Sequence, residues 1–350
     1  MSRIVFFRED CMADDHACRR VLAAYSPECQ PLRLEPLGSA GGFSGARFWR
    51  VQAPAGVFCL RRWPREHPER QQLEFIQAVL WHVRQEGFRL APLPVETRTH
   101  AGYVSEAGHL WELTPWLPGQ ADYHRDPSLK KLRAAAGALA RFHLAASSFP
   151  LPHRGPDAPP GLGKRMDVLA SWTPAKLSKL AASIVAADWP ELARLAERLL
   201  PLFNRAADAV IDTLNQAAAI RVPLEACIRD IWHDHVLFCG DKVSGVIDFG
   251  AMRVDSVATD VARLLGSLCG DDGAAWLEAL QAYDSIRPLS SSEALLVTAY
   301  DRANVLLSGM SWLDWVYLEG RQFENRAAIG ERIEANLARL EHLIGQTQMR

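Results

Sequence analysis

The densest run of chemically capable side chains is CIRDIWHDHVLFCGDKVSGVIDFG, residues 227–250. Asp230 stands just before Trp232, His233, Asp234 and His235. The sequence then reads as a short strand, a tight turn at CGDK and an apolar strand ending at Asp248. A hairpin brings its two ends together, so Asp230 and Asp248 can face one cleft. One carboxylate then accepts a proton from a hydroxyl while the other holds a metal ion, which is the division of labour that phosphoryl transfer requires. The His233, Asp234 and His235 run also admits a metal-hydrolase reading, because alternate residues of an extended segment share a face. No second His/Asp cluster completes a ligand set for it.

The elements that position these residues follow from pattern. Three strands are expected at 32–38, 44–52 and 56–63. The first two are joined by the glycine-rich GSAGGFSG and the last two by APAG, which makes an antiparallel meander. Apolar residues at 73, 76, 79, 80 and 83 predict a helix over 69–86. Two more short strands are expected near 91–97 and 108–114, before TPWLPG. From residue 127 the pattern turns helical, over 129–146 and 174–219, then over 256–347 with a break at SIRPLSSS; the hairpin strands fall near 235–238 and 243–249. A short helix is expected over 14–25. The reading is an α+β chain with a small β-rich lobe, residues 1–118, and a larger helical lobe, residues 119–350.

Composition narrows the function classes. A formal charge of −2 gives no general affinity for nucleic acid or an anionic membrane. The seven cysteines include no CxxC pair, which argues against zinc ribbons and thioredoxin-like redox motifs and for reduced thiols. No signal-peptide core follows MSRIVFFRED, and no apolar run reaches the ~18 residues of a membrane span, so a cytoplasmic location is expected. Only six of the 39 basic residues are lysines, the first being Lys130. A Walker-type P-loop, which needs Gly-Lys-Ser/Thr, is therefore absent from the N-terminal third.

The 227–250 segment resembles the catalytic and metal-binding segment of the aminoglycoside phosphotransferase and choline kinase family, written H-G-D-x-x-x-x-N-hydrophobic and then I-D-[FW]. Asp230 matches the catalytic Asp, His235 the Asn and Asp248 the metal-binding Asp, at the family's usual spacing of 18 residues. Asp260 in TDVARLL resembles a later, generally structural Asp. GSAGGFSGARFWRV resembles the nucleotide-covering loop, with Gly41, Gly42 and Ser44 beneath it. ELTPWLPG resembles the hinge that binds adenine, with Glu112 and Thr114 in it, and LARFHLAA resembles the family's L-x-x-L-H-x helix. Cys59-x-Arg61 matches the family's small-x-Lys pattern. With lysine absent there, Arg61 is the expected phosphate-gripping cation, as in choline-kinase relatives; arginine forks well onto phosphate. Its carboxylate partner is expected to be Glu74, with Glu69 as rival.

The resemblance implies a two-lobed protein-kinase-like fold that binds ATP and Mg²⁺ or Mn²⁺ and phosphorylates a hydroxyl of a small-molecule acceptor. Two departures stand out. Ile228-Arg229 replaces His-Gly, and His235 replaces an oxygen-donating Asn with an imidazole, which suits Mn better than Mg. These departures frame a second reading, a kinase-like nucleotide-binding protein without turnover. For the acceptor site, Trp232, Trp312 and Trp315 are the candidates. The last two flank Asp314, a combination suited to a cationic or sugar-like acceptor.

Overall fold

The computed structural model describes residues 16–39, 43–152, 155–323 and 325–348. Strands β1 (Arg33–Gly38), β2 (Arg47–Ala53), β3 (Gly56–Arg62), β4 (Val104–Glu106) and β5 (His109–Pro115) form one antiparallel sheet in the order β1-β2-β3-β5-β4. Period-two alternation gives its faces opposite characters. Trp49, Val51, Phe58, Leu60, Trp111 and Leu113 are buried together with Val21 and Leu22 from the helical segment at 16–22 and with Tyr25 just after it. Cys59 and Arg61 point the other way, paired in register with Thr114 and Glu112, and line the cleft. Helix α1 (Arg70–Gln85) buries the predicted stripe of Leu73, Ile76, Val79, Leu80 and Val83.

One expected strand is absent. Residues 91–97 donate a single ladder-like bond, Val95 N–H to the Leu113 carbonyl at 2.8 Å, and the outer strand forms instead at Val104–Glu106. Pro92 and Pro94 explain the difference, because a proline has no N–H to give a ladder.

The larger lobe is helical: α2 (Leu129–Ala146), α3 (Pro160–Ser171), α4 (Pro174–Ala186), α5 (Pro190–Ala217), α6 (Ala258–Cys269), α7 (Gly273–Asp284), α8 (Ser291–Leu313) and α9 (Arg326–Gln348). Helix α2 starts on a Ser128 cap and packs its Ala/Leu face against α7. Helix α8 starts on a Ser290–Glu293 capping box and ends in a π-helical turn, Asp314–Leu318. Two small ribbons complete the lobe, β6 (Glu225–Cys227) with β9 (Arg253–Asp255), and β7 (Val236–Cys239) with β8 (Lys242–Val246). Among the described residues no helix is long and apolar enough to cross a membrane.

The chain passes from sheet to helices through 116–120 and is fastened there to the hairpin. Gln120 and Phe238 exchange both backbone bonds, at 3.0 and 2.9 Å. Gly119 has φ +99°, and a Cβ there would stand 2.6 Å from the Phe238 carbonyl oxygen. Both conditions demand glycine. Gly119→Ala should therefore cost on the order of 2 kcal/mol of stability. Urea denaturation checks this; an unchanged midpoint would show that the junction is not constrained.

Candidate active site

The Asp230 loop is built from beneath by a buried carboxylate. Asp260, in the first turn of α6, is fully buried and accepts the backbone N–H groups of Ile228 and Arg229, both at 2.6 Å. Its Oδ2 also lies 3.1 Å from His143 Nε2, and the other ring nitrogen of His143 meets the Tyr283 hydroxyl at 2.7 Å. His143 belongs to the LARFHLAA helix, so that motif and the TDVARLL motif meet under the loop. His143, Cys227 and Asp260 are also the one group among the described residues whose three metal-ligating atoms lie within 4.8 Å. All three are occupied by bonds within the protein, since the Cys227 thiol donates to the Asp255 carbonyl.

With its amide held by Asp260, Arg229 adopts φ +69°. That left-handed conformation costs a non-glycine residue roughly 1–2 kcal/mol. It falls where the resemblance has glycine, so the Ile228-Arg229 departure keeps the backbone shape at the expense of strain. The arginine returns something for it: its Nε lies 3.5 Å from Asp255 Oδ2, a buried oxygen with no hydrogen-bond partner. Asp230 follows, half exposed, with Oδ1 3.1 Å from Arg263 Nη2 of α6.

Asp248, also left-handed at φ +62°, faces the sheet. Arg61 Nη1 donates to its Oδ1 at 3.0 Å, and the guanidinium carbon lies over Trp63, 3.3 Å from the ring centroid. Burial pushes the Asp248 carboxyl up, but Arg61, with help from the Gly250 N–H, holds it below the usual range. Neither helical glutamate pairs with Arg61. Glu74 accepts the Tyr103 hydroxyl at 2.7 Å, and Glu69 sits at the start of α1. The second carboxylate near Arg61 is Glu112, directly across the ladder, bonded by Gln77 at 2.8 Å. Burial raises the Glu112 carboxyl, partly offset by Gln77, Arg61 and Trp63. Its side chain is thus engaged beside Arg61, and Thr114, opposite Cys59, is the β5 residue nearer the interlobe turn. Ser44 lines the cleft from the sheet side, and burial pushes the Cys59 thiol up to about 11. Gly41 and Gly42 lie outside the described residues.

His235 links the two aspartates. Its Nδ1 lies 2.7 Å from the Asp230 carbonyl, and its Nε2 lies 2.9 Å from the Trp232 indole nitrogen and 3.7 Å from Asp248 Oδ2. An indole N–H only donates and a carbonyl only accepts, so the ring is the Nδ1–H tautomer with its Nε2 lone pair given to Trp232. The imidazole sits at the expected metal position, yet its ligating electrons are in use. Asp234 also lines the cleft, 3.4 Å from His233 and 3.8 Å from Arg332. Burial, with help from His124 and nearby arginines, pushes His233 down to about 3, so that ring is neutral.

The cleft between the lobes encloses about 1320 Å³, more than a single drug-sized ligand fills. Trp232, Trp312 and Trp315 all line it. Trp312 is buried and meets Trp315, presented by the π turn, edge-on at 5.0 Å. Phe43, from the loop between β1 and β2, reaches across to Trp312 at 4.8 Å. Asp314, read in sequence as a partner for a cationic acceptor, is bonded to Lys176 at 2.7 Å. Sequence reasoning passed over Arg263, Arg332 and Phe43, whose partners lie far off in the chain.

Residues 37–296 match the model of the phosphotransferase enzyme family, to which the chain belongs. The homoserine kinase of Methylocella silvestris is 28% identical over 305 residues, covering 84% of this chain and 85% of that protein. Among solved structures, an aminoglycoside phosphotransferase from Alicyclobacillus acidocaldarius superposes with TM-score 0.61 at 16% identity, over 94% of this chain and 95% of that one. Amicoumacin kinase, solved with AMP-PNP, Ca²⁺ and its ligand, superposes with TM-score 0.64 at 12% identity, over 99% and 97%. The fold is the two-lobed, kinase-like α+β fold of these enzymes, and the chain is an ATP-dependent phosphotransferase of small molecules.

Arg229 offers a direct test of how the loop is held. Arg229→Gly removes the strain but strands the buried Asp255 oxygen, and losing one partner of a buried pair outweighs such relief. The variant should be less stable by about 1–3 kcal/mol, read by chemical denaturation; a gain in stability would mean that the Asp255 contact contributes nothing.

Proposed function

We propose that the cleft transfers the γ-phosphoryl group of ATP to the hydroxyl of a small acceptor, with Asp230 as the general base. The observation that carries this is the convergence of Asp230, Asp248 and Arg61 on one cleft, with His235 contacting both aspartates. Arg61 would hold nucleotide phosphate, with Thr114, Cys59 and the backbone of the turn after Thr114 beside the base, and Ser44 over the phosphates. The Asp230 carboxylate, oriented by Arg263, would accept the proton of the acceptor hydroxyl as its oxygen attacks the γ-phosphorus and ADP leaves. The homoserine kinase relative makes a small hydroxy amino acid the first acceptor class to test.

A divalent metal fits this donor set through oxygen. Asp248 offers a carboxylate kept ionised by Arg61, and hard cations such as Mg²⁺ take oxygen ligands. When bound, the metal would neutralise phosphate charge. His235, its lone pair on Trp232, would serve to fix the loop.

Two measurements test these roles. Asp230→Asn should lower turnover on an identified acceptor by on the order of 10²- to 10⁴-fold. It should still show the nucleotide-dependent rise in melting temperature, which corresponds to about 2.7 kcal/mol at 100 times Kd, whereas Arg61→Ala loses most of that rise. Near-wild-type turnover in Asp230→Asn would reject the base. His235→Asn should leave the ratio of activities with Mn²⁺ and Mg²⁺ unchanged; a marked swing toward Mg²⁺ would show that the ring nitrogen ligates the metal.

A further inference from the structure

Helix α9 buries Ile329, Ile333, Leu337 and Leu340 on one stripe, and turns Arg332, Asn336 and Arg339 toward the cleft at i, i+4 and i+7. Arg332 stands apart from the other arginines there. Apart from Arg229, which is ion-paired to the buried Asp255 at 3.5 Å, each of the others gives N–H groups to a carboxylate, carbonyl or amide oxygen within 3.5 Å. Among the described residues Arg332 donates no hydrogen bond, and its nearest carboxylate oxygen is Asp234 Oδ2 at 3.8 Å. What holds its guanidinium is aromatic: it lies 4.0 Å from the Trp232 ring centroid and 4.7 Å from that of Phe43. The aromatic contacts seat the guanidinium and leave its N–H groups for something else.

The surroundings select an anion. The side chain is largely buried, and that burial pulls the guanidinium below its usual range. A partly desolvated cation with no hydrogen bonds gains most from a carboxylate that can accept two. The position is specific as well. Trp232, on which Arg332 rests, is two residues after Asp230, and Arg332 is near enough to Asp230 and Arg263 to feel both charges. An anion on Arg332 and a hydroxyl at Asp230 thus belong to one small molecule. Asp234, beside the same guanidinium and half exposed, is available to an ammonium group on that molecule.

We infer that Arg332 binds the carboxylate of the acceptor, so that this cleft selects a small hydroxy acid or hydroxy amino acid over a polycationic or purely alcoholic acceptor. This rests on the phosphotransfer reading above and assigns the residue that sets acceptor class.

The test compares L-homoserine with 3-aminopropan-1-ol, which differs from it by the carboxylate alone, in the full-length wild-type, Arg332→Met and Arg332→Lys proteins with ATP and Mg²⁺. Wild-type kcat/KM should favour L-homoserine by on the order of 100-fold. In Arg332→Met that preference should collapse to a few-fold, mainly through KM, and Arg332→Lys should restore part of it. A merely structural arginine would lower both acceptors equally, so an unchanged ratio in Arg332→Met overturns the inference while turnover itself upholds the kinase reading. If neither compound turns over, melting shifts in the presence of AMP-PNP and Mg²⁺ decide. Stabilisation of the wild type by L-homoserine but not by 3-aminopropan-1-ol, lost in Arg332→Met, supports the anchor; equal or absent shifts overturn it.

Discussion

The arrangement of the cleft depends on one buried carboxylate. Asp260 has no access to solvent, and a charge in that position is sustained only by full hydrogen bonding. It obtains that from the Ile228 and Arg229 amides and from His143. The three donors come from two distant parts of the chain, and together they fasten the loop to the helical core. The fastening has a geometric consequence, since it holds Arg229 in a left-handed conformation that turns the chain and presents Asp230 at the cleft wall. Charge-assisted bonds to two amides offset the strain.

A second interaction ties this rigid floor to the sheet. The Arg61–Asp248 pair runs from β3 to the end of the hairpin, on top of the Trp63 ring. With Glu112 opposite, Arg61 has two carboxylates near it and a flat apolar surface beneath. Such a cation is preorganised: little side-chain freedom would remain to be lost on binding the nucleotide phosphate proposed for it. His235 plays the matching part on the other side, its two ring nitrogens spent on the Asp230 carbonyl and the Trp232 indole. Its presence in place of an amide reads, on this geometry, as a change in how the loop is braced.

Features set by local chemistry were legible in the sequence. The α1 stripe, the limits of Leu129–Ala146 and the hairpin turning at CGDK follow from periodicity and turn residues, and Cys59 and Arg61 share a face because strands alternate. Whatever depended on the third dimension was not. Glu74 was a reasonable partner for Arg61 by its place on a helix, but Tyr103, just before β4, takes it. Pro92 and Pro94 sit inside an otherwise strand-like run and remove it from the ladder. The tautomer of His235 follows from two bonds that no spacing reveals, and Arg332 lies about a hundred residues beyond the loop it touches. Asp314 was visible as a carboxylate between tryptophans, though not that Lys176 holds it.

The central claim is that these groups transfer phosphate to carbon-bound oxygen and do not merely hold nucleotide. Phosphorus NMR of the protein with ATP, Mg²⁺ and a hydroxy amino acid addresses it without any coupling enzyme. The account predicts a growing phosphomonoester resonance, split by the protons of the esterified carbon and matched by the appearance of ADP. Persistence of ATP despite demonstrated nucleotide binding, or release of inorganic phosphate alone across a panel of hydroxylated acceptors, would contradict it.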